Sequence, residues 1–139
     1  MTTRTISFVI LLTLSANLAA QTAEKTFSKS FNTENKGTIQ LDLPGAVDLK
    51  VWDNPSIRIG ITVSLPSGNS SMLGELATVG RYNLVAHEEG DKLIISAPNM
   101  QKQIRIKGEE LRETLTYVVF VPKDLKIEIP ASEAMASKR

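Results

Sequence analysis

The chain has 139 residues, the length of one domain, with 16 basic and 15 acidic residues, one histidine and no cysteine. So even a balance excludes the strongly basic surface that nucleic-acid recognition requires. The missing cysteine excludes disulfides, thiol nucleophiles, thiolate metal sites and a lipid-modified N-terminal cysteine, so stability has to come from packing.

Residues 1–20 have their own pattern. Arg4 precedes an apolar run from Ile6 to Leu14, and small residues follow up to Ala20. This is the layout of a secretory signal peptide, with cleavage expected before Gln21. The run is shorter than the ~20 apolar residues that cross a bilayer core, so no membrane span is expected after cleavage. Cleavage removes Arg4 and no acid, leaving 15 residues of each sign. The expected address is the periplasm or the cell exterior. Residues 21–26 read as a polar lead-in, 27–130 as a single β-domain and 131–139 as a flexible tail.

Phe27 and Phe31 share one strand face with Lys29 between them, an arrangement that an edge strand tolerates. Asn32–Gly37 is a turn cluster. Gly37–Leu43 points Ile39, Leu41 and Leu43 inward. After the turn pair Pro44–Gly45, the run Gly45–Val51 does the same with Val47, Leu49 and Val51. Trp52–Ser56 leads into Ser56–Leu65, where Ile57, Ile59, Ile61 and Val63 alternate. The loop Pro66–Ser71 carries Asn69–Ser70–Ser71, an N-glycosylation acceptor triplet.

Met72, Leu73, Leu76 and Val79 fall at helical spacing, which predicts one short helix near residues 71–79, closed by Gly80. Arg81–Glu88 and Asp91–Ala97 read as a hairpin around Glu89–Gly90. Pro98–Lys102 is a turn, Gln103–Lys107 a short strand, and Gly108–Glu113 a charged loop or a single helical turn. The basic residues Lys102, Arg105 and Lys107, and then Lys123 and Lys126, are interleaved with Ile104, Ile106 and Leu125. They read as wet strand faces.

Glu113–Ile129 is the most strand-like stretch. Leu115, Tyr117, Val119 and Val121 line one face, while Val118 and Phe120 load the other. A strand apolar on both faces is expected to be central and covered above and below. Pro122 ends it, and Leu125, Ile127 and Ile129 restart the alternation. Strands this short, at this spacing, predict an all-β fold of layered strands, either a β-sandwich or a short β-solenoid or roll.

The order of these parts resembles the bacterial adhesin-like domains of unknown function related to the auto-transporter adhesin head (GIN) domain. The resemblance runs from Phe27 to Ile129 and is best over Tyr117–Ile129, a strand ending in Val-Pro-Lys followed by Leu-x-Ile-x-Ile. It implies an exported protein of β-solenoid or β-sandwich-like layers and brings no catalytic residues. In that family more Gly-punctuated strands follow the Val-Pro segment, whereas here ten residues follow Ile129.

His87 is the single histidine and is flanked by Glu88 and Glu89. Alternation puts His87 and Glu89 on one face, a weak two-ligand pair that Asp91 could join across the turn. Local polarity favours an exposed turn histidine. No G-x-S-x-G elbow, phosphate loop or dinucleotide fingerprint occurs, so no cofactor, resident metal or enzymatic activity is expected.

Trp52, Asp53 and Tyr82 are the candidate ligand contacts. Trp52 either stacks on a sugar ring or caps an open end of the core, and its size favours the core. Asp53–Asn54 is an Asx-type turn rather than a calcium loop. The expected function is that of an exported non-enzymatic domain in cell-envelope or surface interaction. Its partner is an unknown envelope component, and homo-association through open sheet edges is foreseen. The alternative is a small-ligand or glycan-binding module using Trp52, Tyr82 and Tyr117. A hydrolase built around His87 is the reserve reading.

Overall fold

The computed structural model describes residues 22–66 and 70–130, so the expected signal peptide, Asn69 of the acceptor triplet and the tail 131–139 lie outside the described residues. The elements are β1 (Ala23–Asn32), β2 (Thr38–Asp42), β3 (Ala46–Trp52), β4 (Ser56–Leu65), α1 (Ser70–Thr78), β5 (Val85–Glu89), β6 (Lys92–Ser96), a 3-10 turn (Pro98–Gln101), β7 (Arg105–Ile106), β8 (Glu109–Glu110), β9 (Thr114–Pro122) and β10 (Lys126–Glu128).

Two four-stranded sheets form, in the orders β1-β4-β9-β3 and β10-β2-β6-β5, with β7 and β8 as a separate ribbon. The expected layered all-β fold is therefore present, as a two-sheet sandwich with one short helix. β1 and β9 flank β4 antiparallel, whereas β3 runs parallel to β9. In the second sheet β10, β2 and β6 are parallel. The parallel pairs arise because β2 and β3, like β9 and β10, do not form hairpins. Each pair crosses from one sheet to the other through a short turn.

The inward rows meet in one core. Ile57, Ile59, Ile61, Val63 and Leu65 of β4 and Tyr117, Val119 and Val121 of β9 face Ile39 and Leu41 of β2 and Leu93 and Ile95 of β6. The period of two thus sorts β2, β4, β6 and β9 as expected. Tyr117 is the largest of the fully buried side chains, and its hydroxyl donates to the Pro44 carbonyl at 3.0 Å. That bond ties β9 to the β2–β3 crossing.

Gly45 sits in this crossing at φ +137°, where an added Cβ would lie 2.6 Å from the Leu115 carbonyl oxygen. The conformation and the close approach both require glycine. Gly45→Ala is expected to lower stability by roughly 1–3 kcal/mol, readable as a shifted urea midpoint with an unchanged slope.

Several expectations are corrected. β1 begins at Ala23, inside the presumed lead-in, because ten residues pair continuously with β4 and Ala23 is buried opposite Leu65. It is an edge strand, as Lys29 suggested. The Lys29 Nζ lies over the Phe31 ring, 5.2 Å from its centroid, and donates to the Leu84 carbonyl at 2.9 Å. Lys29 shares the core-facing parity of Phe27 and Phe31 but stays exposed at the edge, which is how a charge is tolerated there.

Arg81–Leu84 is not strand, since the hairpin starts at Val85 and turns at Gly90–Asp91. Gly108–Glu113 is neither loop nor helical turn throughout. Lys107 and Gly108 both take positive φ and close a tight β7–β8 hairpin. Finally, β9 is central within its sheet but covered on one face only. Val118 remains 37% exposed on the outer face.

Gly80 closes α1 as expected. The Arg81 N–H reaches the Leu76 carbonyl at 2.9 Å and the Gly80 N–H reaches Ala77 at 3.0 Å, with Gly80 at φ +84°. This is a Schellman cap. Among the described residues, no helix is long and apolar enough to cross a membrane.

Candidate functional site

Each sheet has two edges, and the two ends of the sandwich differ. At one end β1 lies beside the segment leading into β5. Lys29 bonds the Leu84 carbonyl, Phe27 stacks on Tyr82 with ring centroids 5.3 Å apart, and α1 packs along β1. The remaining edges, β3 and β10, therefore share the opposite end.

That second end is left open. β3 directs Val47, Leu49 and Val51 to the core side, in register with Tyr117, Val119 and Val121. No described residue covers the last two fully, and Leu49 is 40% and Val51 65% exposed. On β10 the matching row is Leu125, Ile127 and Ile129, all half-buried. Among the described residues, the outer edges of both strands pair with no further strand, the arrangement that templates strand addition. Charges lie on the outward faces, Asp48 and Lys50 on β3 and Lys126 and Glu128 on β10. Lys92 bonds the Glu128 carboxylate at 3.1 Å. That hydrogen bond, with Lys126 adding a second positive charge, holds its pKa below the ordinary value.

Trp52 and Asp53 lie at the corner of this end. Trp52 does not cap the core. Position 52 follows the outward alternation of Asp48 and Lys50, so its ring packs on Phe120, with centroids 5.2 Å apart, on the outer face of the sheet. Its Nε1 donates to the Ser56 carbonyl at 2.8 Å, and Ser56 Oγ donates to Asn54 Oδ1 at 2.9 Å, which closes the β3–β4 turn. Asp53 pairs with Lys123 across to the β9–β10 turn. Both side chains are well exposed, so the pair adds little stability.

The structure thus brings Trp52 and Asp53 together but not Tyr82 or Tyr117. Tyr82 is buried at the other end of the sandwich and Tyr117 is in the core. No platform of three rings is assembled for a glycan.

His87 and Glu89 share the outward face of β5, opposite Ile94 and Lys92 of β6, and Asp91 sits in the turn beyond them. All of β5 is exposed.

Sequence reasoning missed two features. The first is a buried polar strut. Arg81 donates to the carbonyls of Asn99 and Lys102 and pairs with Glu113, whose other oxygen accepts the Tyr82 hydroxyl at 2.9 Å. Burial, then the bond to Glu113 and its charge, push the Tyr82 phenol above its ordinary pKa. Glu113 is 32 positions from Arg81, and no local pattern links them. The second is a groove of about 760 Å³ between Leu65, Met72 and the β7–β8 ribbon, lined also by Ile106 and Leu111. The β7–β8 ribbon forms one of its walls, and the charge of residues 109–110 concealed that strand.

No family profile matches the sequence, and no curated protein matches it. Among solved structures, the chain is similar to a candidate cell adhesion protein from Clostridium sporogenes, at 12% identity and a TM-score of 0.42. The match covers 77% of this chain and 46% of that protein, so the chain spans less than half of its length. A likeness this loose carries no argument about function.

Proposed function

We propose that the protein is an exported, non-enzymatic β-domain that acts in the cell envelope or at the cell surface by binding another protein through its open β3/β10 end. This is an adhesin-like role, in keeping with the resemblance over Tyr117–Ile129. The observation that carries it is the β3 edge. Among the described residues, a seven-residue strand there has one unpaired backbone edge and two large exposed apolar side chains on the core side. Isolated exposed aliphatics are ordinary. A row of them along an unpaired strand is the chemistry of strand-addition binding.

Export is supported by the charge-then-apolar pattern of residues 1–20. The non-enzymatic reading is supported by the engagement of Arg81, Tyr82 and Glu113 with one another and with backbone carbonyls, a structural task.

Cell fractionation and envelope binding test the reading together. The processed protein is expected outside the cytosol, bound to isolated envelopes. Leu49→Lys with Val51→Lys is expected to abolish that binding while His87→Ala leaves it intact. Recovery in the cytosol with residues 1–20 attached would overturn the proposal.

A further inference from the structure

We infer that the partner which seats on the open end is a second copy of this chain, docked about a two-fold axis that pairs β3 with β3 and β10 with β10, both antiparallel. The inference rests on the reading of that end as the binding surface. It goes further by fixing the occupant and the register.

The charge pattern of the two edge strands favours a second copy. A two-fold axis running from one sheet to the other reverses strand direction and keeps each sheet's inner face inside. Inward residues must then meet inward residues, which restricts the registers to alternate steps. On β3, pairing about Asp48 sets aspartate against aspartate, and pairing about Lys50 sets lysine against lysine. Pairing about Leu49 sets Asp48 against the partner's Lys50, and Lys50 against the partner's Asp48. The same register puts Val47 against the partner's Val51 on the core side. On the outer face it puts the small Ala46 against the partner's Trp52.

β10 repeats the pattern. Pairing about Lys126 or about Glu128 opposes like charges. Pairing about Ile127 sets Lys126 against the partner's Glu128 and Leu125 against the partner's Ile129. Each strand thus has one register that is self-complementary in charge, and in both the dyad falls on the middle of three core-facing aliphatics. Like charges directly opposite one another destabilise a ladder, and opposite charges support it. Isologous contacts of this kind are what a two-fold dimer requires. Among the described residues Asp48 and Lys50 have no salt bridge within the chain, so both charges are available to the partner. Glu128 is already paired with Lys92 and Lys126, so the β3 pair carries the charge argument. Both sheets would then run through the interface as eight strands, and two of the open edges would disappear.

The test is the mass in solution of protein purified from expressing cells, by sedimentation equilibrium. Wild type is expected to be dimeric. Asp48→Lys, which opposes Lys50 with lysine at two symmetric places, is expected to weaken the dimer at least about tenfold. Adding Lys50→Asp to it, which restores the complementarity in swapped form, is expected to restore the dimer. Both sites are exposed, so folding is not at issue. The chain has no cysteine, so a single introduced one reports the register. Leu49→Cys is expected to give a disulfide-linked dimer on oxidation. Lys50→Cys, which faces position 48 of the partner and not itself, is expected to give none.

A dimer indifferent to Asp48→Lys, or one cross-linked through position 50 and not 49, would overturn the register. A monomer at every concentration would overturn the second copy and leave the open end to residues 131–139 or to a different protein. If Leu49→Lys with Val51→Lys still abolishes envelope binding in that case, the broader reading survives without this one.

Discussion

Tyr117→Ala is expected to lower the unfolding free energy by roughly 3–5 kcal/mol, the usual cost of emptying a large aromatic site in a core. A domain of this size is stable by only ~5–15 kcal/mol, so the variant should be near the margin of folding. Tyr117 touches what neither sheet could replace by itself. Its ring fills the space between β9 and the opposite sheet, and its hydroxyl holds the Pro44 carbonyl at the crossing from β2 to β3.

Tyr117→Phe separates the two contributions. It keeps the ring and leaves the Pro44 carbonyl without its donor, for an expected loss of about 1 kcal/mol. Urea unfolding of the two variants is the measurement, and equal losses would show that the hydroxyl dominates the ring. The same burial has a signature in pH. Desolvation, with the charge of Glu113 second, raises the Tyr117 phenol above its ordinary value of 10.0. The folded state therefore favours the neutral phenol. Its contribution is fully present below pH 10 and is lost as pH rises further, because the unfolded chain ionises first. Tyr117→Phe should flatten that alkaline loss in part, with the buried Tyr82 supplying the rest.

What could be read from the sequence was the part that depends on local period. Ile57 to Leu65 alternate because β4 has one face on the core, and the residue types state that directly. Lys29 between Phe27 and Phe31 marked an edge for a similarly local reason: only at an edge can an inward amine reach water or a loop carbonyl. Gly80 marked the helix end because its left-handed backbone suits few other residues.

Pairing is different. Gly37–Leu43 and Gly45–Val51 look alike and lie two residues apart, yet they belong to different sheets. Nothing in their alternation distinguishes a hairpin from a crossing. The misplacement of Trp52 has the same root. Its size argued for the core, while its parity with Asp48 and Lys50 put it outside, and parity prevailed. Residues 109–110 were hidden by composition, since two glutamates carry no strand signal and the positive φ of Lys107 does not show in its identity. The open end was half legible. The aliphatics of β3 and β10 were visible, but that both strands are edges, on the same end, follows only from the strand order.

Glu113→Ala is expected to cost about 3–5 kcal/mol, although it removes a charged residue from a chain otherwise held by aliphatics. The two side chains of the Arg81–Glu113 pair are 6% and 7% exposed, so neither group regains water when its partner is lost. The residual guanidinium keeps the Asn99 and Lys102 carbonyls as acceptors, but these carry no net charge to neutralise it. Its Nε already lacks a partner. Tyr82 loses its acceptor at the same time, and the Gly80 turn loses its tie to the start of β9.

The cost is therefore one of leaving a charge buried alone, and it differs from the worth of the pair. Arg81→Met with Glu113→Leu, which removes both charges at similar volume, should recover most of the loss. Thermal and urea unfolding of the single and double variants form a cycle that measures the difference. If the double variant were as unstable as Glu113→Ala, the strut would be holding the Gly80 turn, the 3-10 segment and β9 together through its hydrogen bonds. Charge neutralisation would then be the lesser part, and Glu113→Gln, which keeps the shape but not the charge, should recover most of the deficit.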